Sequence, residues 1–86
     1  MRLSYTKRFL KSAAKLPKAE QVKLTALLSK LAESPNHPQL HVKKLQPPLA
    51  DYFSIRINRE YRVLLRIVSP EEIVLTKVGH RKDIYR

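Results

Sequence analysis

The last nine residues, Val78-Gly79-His80-Arg81-Lys82-Asp83-Ile84-Tyr85-Arg86, carry a histidine, a run of cations and a tyrosine. None of these polar side chains is needed to complete an apolar core. Arginine offers a planar fork of donors that matches phosphate oxygens. Histidine exchanges a proton near neutral pH without a large pKa shift. Tyrosine can stack on a base or pass a proton. His80, Arg81 and Tyr85 are therefore the residue types for holding, and cutting, a phosphate backbone.

Strand register adds two more cations. Phe53, Ile55 and Ile57 alternate with Ser54, Arg56 and Asn58, and Tyr61, Val63, Leu65 and Ile67 alternate with Arg62, Leu64 and Arg66. Such period-two runs predict strands. With Asn58-Arg59-Glu60 as the loop, Ile57 faces Tyr61 and Arg56 faces Arg62. Both arginines then stand on the sheet face opposite the alternating apolar residues. Directly opposed like charges destabilise a sheet. An anion between them removes that penalty, although two long cations can also splay into water. After the turn Ser69-Pro70-Glu71-Glu72, residues Ile73 to Val78 predict a third strand antiparallel to the second. Its end returns beside Arg62 and is expected to bring His80, Arg81 and Tyr85 to the arginine pair.

Other chemistries lack their residues. Gly79 is the only glycine, so there is no Gly-rich phosphate loop. His37, His41 and His80 lack metal-ligand spacing, carboxylates are few, and cysteine is absent. No metal or cofactor is expected. A serine triad would need a buried acid, and none can be located in the sequence.

The elements that must position this set come earlier in the chain. Arg2 to Tyr5 alternates as a short strand. Thr6 is suited to cap a helix, in which Phe9, Leu10, Ala13 and Ala14 share a face and Lys7, Arg8, Lys11 and Lys15 lie outside. Pro17 ends that helix and suits the first turn of the next. There Leu24, Leu27, Leu28 and Leu31 recur at helical spacing, and Ser34-Pro35-Asn36-His37-Pro38 stops the run. Residues 35–50 form a proline-rich connector with a short ordered stretch expected at His41 to Leu45. The order β-α-α-β-β-β predicts an α+β protein, an antiparallel sheet with a helical hairpin on one face. Leu24, Leu27, Leu28, Phe53, Ile55, Val63 and Leu65 are its expected core.

Length and charge limit the alternatives. The 86 residues predict a single domain with a thin core. No apolar run is long enough for a membrane span, no signal-peptide stretch follows Met1, and a soluble, cytoplasmic protein is expected. Eighteen Lys and Arg stand against seven Asp and Glu, a formal charge of +11. Self-repulsion on that scale points to a polyanionic partner, nucleic acid first and an acidic protein second.

Taken together, Tyr52-Phe53-Ser54-Ile55-Arg56-Ile57, Tyr61-Arg62-Val63-Leu64 and Val78-Gly79-His80-Arg81-Lys82-Asp83-Ile84-Tyr85 resemble the RelE toxins of bacterial type II toxin–antitoxin modules. Phe9 to Pro17 is similar to that family's first helix, so the resemblance spans nearly the whole chain. It implies a RelE-like fold and a metal-independent endoribonuclease, an mRNA interferase acting in the ribosomal A site. There the ribose 2′-OH attacks the neighbouring phosphate and leaves a 2′,3′-cyclic phosphate and a 5′-OH. Carried over by position, Arg56, Arg62 and Arg81 would bind the scissile phosphate, and Tyr85 would orient a base and assist proton transfer. His80 sits where some members carry a cation and others an acid/base histidine. Lys43, Lys44, Arg59, Arg66 and Lys82 are the expected further contacts to RNA. Ser54 departs from the family, several of whose members have a cation there, which leaves the general base open. The resemblance also implies a cognate antitoxin, whose complex would set the oligomeric state, besides mRNA and ribosome. The related ParE toxins, which share the fold and act on gyrase without that basic set, and an inactive RNA-binding module are the alternatives.

Overall fold

The computed structural model describes residues 1–85. Its sheet has five strands in the order β1-β5-β4-β3-β2. They are β1 (Arg2–Tyr5), β2 (Lys43–Lys44), β3 (Phe53–Arg56), β4 (Tyr61–Ser69) and β5 (Glu72–His80). Helices α1 (Lys7–Ala14) and α2 (Lys18–Glu33) follow β1, and a single 3-10 turn spans Pro38–Leu40. The class is α+β with two helices packed on the sheet, as the sequence predicts. The sheet, however, is mixed rather than antiparallel throughout: β1 runs parallel to β5, with Arg2 beside Glu72 and Tyr5 beside Leu75. The reason lies in the connection. β1 leads into the helices and not into a hairpin, and a crossover of that kind is what parallel pairing requires.

Side chains close the ends of α1. The Thr6 hydroxyl accepts the Phe9 N–H at 3.0 Å and donates to the Thr76 carbonyl at 2.9 Å. Thr76 lies where β5 bulges against β4, between the pairs Leu64–Lys77 and Leu65–Leu75. Ser12 accepts the Val78 N–H at 3.0 Å, so α1 satisfies a β5 donor beyond the reach of β1. At the other end Gln21 of α2 donates to the carbonyls of Ala13, Ala14 and Leu16. These are orphan acceptors of a terminating helix, and the bonds hold the two helices together across Pro17.

The main core joins Phe9, Leu16, Leu24 and Leu31 to Leu40, Ile55, Val63, Leu65, Ile73, Leu75 and Val78. Of the expected core, Leu24, Ile55, Val63 and Leu65 are buried, whereas Leu27, Leu28 and Phe53 pack against it only partly buried. Leu10 and Ile67 depart from the pattern at 57% and 48% exposed. Phe9 and Ala13 carry the inner face of the short α1, which leaves Leu10 outside.

A second, smaller core lies on the opposite side of the sheet. Leu45, Leu64 and Ile84 are buried together, with Leu49 and Tyr52 against them. Leu64 stands between the main-core residues Val63 and Leu65, so strand alternation turns it to the other face. The proline-rich connector folds over it, with the Leu45 N–H donating to the Tyr52 carbonyl at 3.1 Å. The face expected to be open is therefore half covered, and the cover anchors the C-terminal turn through Ile84, 1% exposed. Among the described residues no helix is long and apolar enough to cross a membrane.

Candidate active site

The arginine pair stands where the register predicts. Arg56 is the partner of Arg62, and Arg62 is in turn the partner of Gly79 on β5. Cross-strand partners share a face, so these three residues form a row across the sheet, opposite the face that carries Ile55 and Val63. A groove of about 500 Å³ lies there, lined by His41, Lys43, Ser54, Arg56, Arg62, Arg81, Lys82 and Tyr85. Gly79 leaves its place in the row empty, since a β-carbon there would meet nothing within 4 Å.

Arg62 is held by backbone. Its Nη1 donates to the carbonyls of Asn58 at 2.6 Å, Arg59 at 3.1 Å and Tyr61 at 3.3 Å. The loop is fixed in turn by the Asn58 side chain, which accepts the N–H groups of Glu60 and Tyr61. Burial depresses the Arg62 pKa, and the charges of Arg56 and Arg81 push the same way, against opposing pulls from Tyr85 and Glu60. An arginine stays charged regardless. Arg62 is thus a cation in surroundings that disfavour positive charge, a penalty that a bound anion would remove.

The C-terminal turn delivers Arg81 and Tyr85. The Arg81 N–H donates to the Glu60 carbonyl at 2.7 Å, and the N–H groups of Asp83 and Ile84 donate to the His80 carbonyl. Lys77 Nζ donates to the Asp83 carbonyl at 3.1 Å. Ile84 plugs into the small core between Arg81 and Tyr85.

His80 is not in the groove, contrary to expectation. It pairs with Tyr61, on the sheet face opposite Arg62, and meets the Tyr61 ring edge-on at 5.6 Å. Its Nδ1 accepts the Lys82 N–H at 3.1 Å, and its Nε2 lies 2.8 Å from a Glu60 carboxylate oxygen. A neutral ring with its proton on Nε2 satisfies both contacts. The Glu60 carboxyl is held below its ordinary range, first by this hydrogen bond, against an opposing desolvation cost, and then by the charges of Arg81 and Lys82. His80 therefore braces the turn that carries Arg81.

The outer cations divide. Lys43 and Lys82 line the groove. Lys44 pairs with Phe53 and so turns to the other face. Arg66 lies over the Tyr52 ring, 5.6 Å from its centre, beside the small core. Arg59 is exposed at the loop tip. Arg86 lies outside the described residues. Two further residues of the groove are not among the expected site residues. Ser54, 2% exposed, lies on the floor, and its alternation with Ile55 signals as much. His41 follows the 3-10 turn in a left-handed conformation, φ 50 and ψ 51, and nothing in a periodless connector announces it.

The family described as the ParE toxin of type II toxin–antitoxin system, parDE, matches residues 3–85. No curated protein matches the sequence. Among solved structures, YafQ from E. coli strain BL21(DE3) superposes with a TM-score of 0.83 at 15% identity, covering 100% of both chains. A YoeB/ParE toxin from Agrobacterium tumefaciens gives 0.77 at 17%, covering 94% of this chain and 99% of its own. The RelB-RelE antitoxin-toxin complex from Methanococcus jannaschii gives 0.76 at 25%, covering 95% and 94%.

Proposed function

The chain belongs to the ParE toxin family of type II toxin–antitoxin systems, and from that premise we propose that it is an endoribonuclease that cuts mRNA in the ribosomal A site. One observation carries the reading. Arg56, Arg62 and Arg81 converge with Tyr85 on a groove lined, among the described residues, by no Asp or Glu. Opposed cations that cost stability are explained by an anion, and a phosphodiester is the anion that three forked donors suit. Fixed cations act most strongly where charge develops. Arg62, tied to its loop by three carbonyls, needs no reorganisation as the phosphorane forms. The 2′-OH attacks the adjacent phosphorus, the bond to the 5′ oxygen breaks, and no metal takes part. Tyr85 orients the base or passes the proton. Tyr85→Phe separates these roles: little loss means stacking, and a loss of about 10²–10⁴ means proton transfer.

An antitoxin partner follows from the family, and the RelB-RelE neighbour was solved as an antitoxin-toxin complex. With a toxin charge of +11, the segment that crosses the groove should be acidic, which speeds association at low salt.

The ParE match favours a second reading, a toxin that acts on gyrase without cutting RNA. Induced expression followed by mapping of mRNA 5′ ends decides between them. In-frame cuts within translated codons support the ribonuclease. Intact mRNA with trapped gyrase supports the other.

A further inference from the structure

Cleavage by 2′-OH attack needs a group that takes the hydroxyl proton, and the groove offers few. Its lining is His41, Lys43, Ser54, Arg56, Arg62, Arg81, Lys82 and Tyr85. No aspartate or glutamate is among them. Lysine, tyrosine and arginine side chains ordinarily release their protons only at about pH 10 or above. Imidazole alone in that set is ordinarily neutral, and so able to accept a proton, at physiological pH. The other histidine close to this end of the sheet is already engaged. His80 lies on the opposite face, with both ring nitrogens occupied by Glu60 and the Lys82 N–H.

The backbone at His41 makes its placement more than incidental. It is the only non-glycine residue with positive φ among those described. Residues in that region carry a local cost and persist where surrounding structure enforces them, often at functional sites. The enforcement is visible on both sides. Leu40, fully buried in the main core, precedes His41, whose own N–H donates to the Pro38 carbonyl at 3.2 Å. Two residues later Lys43 is locked to Ser54 in the β2–β3 pair. The charged and titratable groups that share the groove with His41 are Lys43 from β2, Arg56 from β3, Arg62 from β4, and Arg81, Lys82 and Tyr85 from the C-terminal turn.

Resting on the ribonuclease reading, we infer that His41 is the general base of the groove. Its imidazole takes the proton of the ribose 2′-OH as that oxygen bonds to phosphorus. The phosphorus–O5′ bond breaks with its electron pair on the 5′ oxygen, which takes a proton from Tyr85 or from water. The imidazolium returns its proton through solvent. A 2′,3′-cyclic phosphate and a 5′-OH result, and no water is consumed.

The test is single-turnover cleavage of mRNA on programmed ribosomes by the wild-type chain and by His41→Gly. Glycine suits a positive φ, so this variant should keep the fold and the wild-type melting curve. The wild-type rate should rise with pH and then level off, as for a reaction that needs a free base. His41→Gly should lose about 10²–10⁴ in rate and lose that rise, and imidazole added to the buffer should restore part of the rate. A purely structural histidine would not be rescued in this way. Cleavage by His41→Gly within about threefold of wild type, or a large loss that imidazole does not restore, overturns the assignment and points to Lys43. If the wild-type chain itself leaves the mRNA intact, the ribonuclease reading fails, and the role of His41 falls with it.

Discussion

The two faces of the sheet solve opposite problems. Beneath the helices, Ile55, Val63 and Leu75 are fully buried among apolar neighbours, the polar ends of α1 are matched by Thr6 and Gln21, and Ser12 takes up the Val78 N–H of β5. Across the sheet, one residue away along the same strands, Arg56 opposes Arg62, and Arg81 lines the same groove. Apolar burial on the first face supplies the stability; the second spends some of it to hold like charges together. Only a few apolar residues on the groove side, Leu45, Leu64 and Ile84 chief among them, position the turn. The contrast teaches that in this fold the apolar core and the cationic groove are separated by strand alternation rather than by distance along the chain.

Substitution can break this comparison. Ile55→Ala should cost about 2–5 kcal/mol in urea denaturation, as large-to-small core changes do. Arg56→Ala, one residue on, should stay within about 0.5 kcal/mol of wild type. Equal losses from the two would mean that the groove cation is a structural element after all.

Ile84→Ala probes the link between the faces. It should lose about 2 kcal/mol, the low end for such a change, because the small core offers fewer neighbours. Cleavage should fall as well, although Ile84 does not line the groove. Unchanged cleavage in a folded Ile84→Ala protein would separate the small core from the site.

Acid should loosen both edges of β5. The Glu72 carboxyl is held below its ordinary range by the Ser4 hydroxyl, at 2.6 Å, and then by Arg2. Glu60 is held down by His80. A depressed carboxylate adds stability above its unfolded-state pKa and loses it as pH falls through the folded value. Stability should therefore drop below the ordinary carboxylate range, and Glu72→Gln with Glu60→Gln should flatten that drop. Curves of equal slope would show that neither contact contributes.

The smallest effect is expected at the loop tip. Arg59→Ala should weaken RNA binding modestly and alike for all sequences, and should reduce the salt dependence slightly. An affinity insensitive to salt would point to an apolar protein interface instead.

Much of this was legible before any coordinates. The pairing of Arg56 with Arg62 follows from two alternating runs around a three-residue polar loop, and the Thr6 cap from its place before an apolar helical face. The misplacement of His80 has a simple cause. Proximity to Arg62 was readable, but if Gly79 pairs with Arg62, alternation turns the next residue away. The adjacent Leu64 and Leu65 signalled burial on both faces, a hint of the small core that a single apolar pattern conceals. His41 was not legible, because the connector that carries it has no period, and its position depends on how Leu40 enters the main core and Lys43 pairs with Ser54.

The central claim is that the arginine groove cuts RNA. The most direct test is single-turnover cleavage of ribosome-bound mRNA by the wild-type chain, Arg62→Ala and Arg81→Ala, with the product ends identified. The account predicts 2′,3′-cyclic phosphate and 5′-OH ends from the wild type and a rate lower by about 10²–10³ in each folded variant, as for loss of one fixed donor at a developing charge. Wild-type rates from both variants, or no cleavage by the wild type, would contradict it.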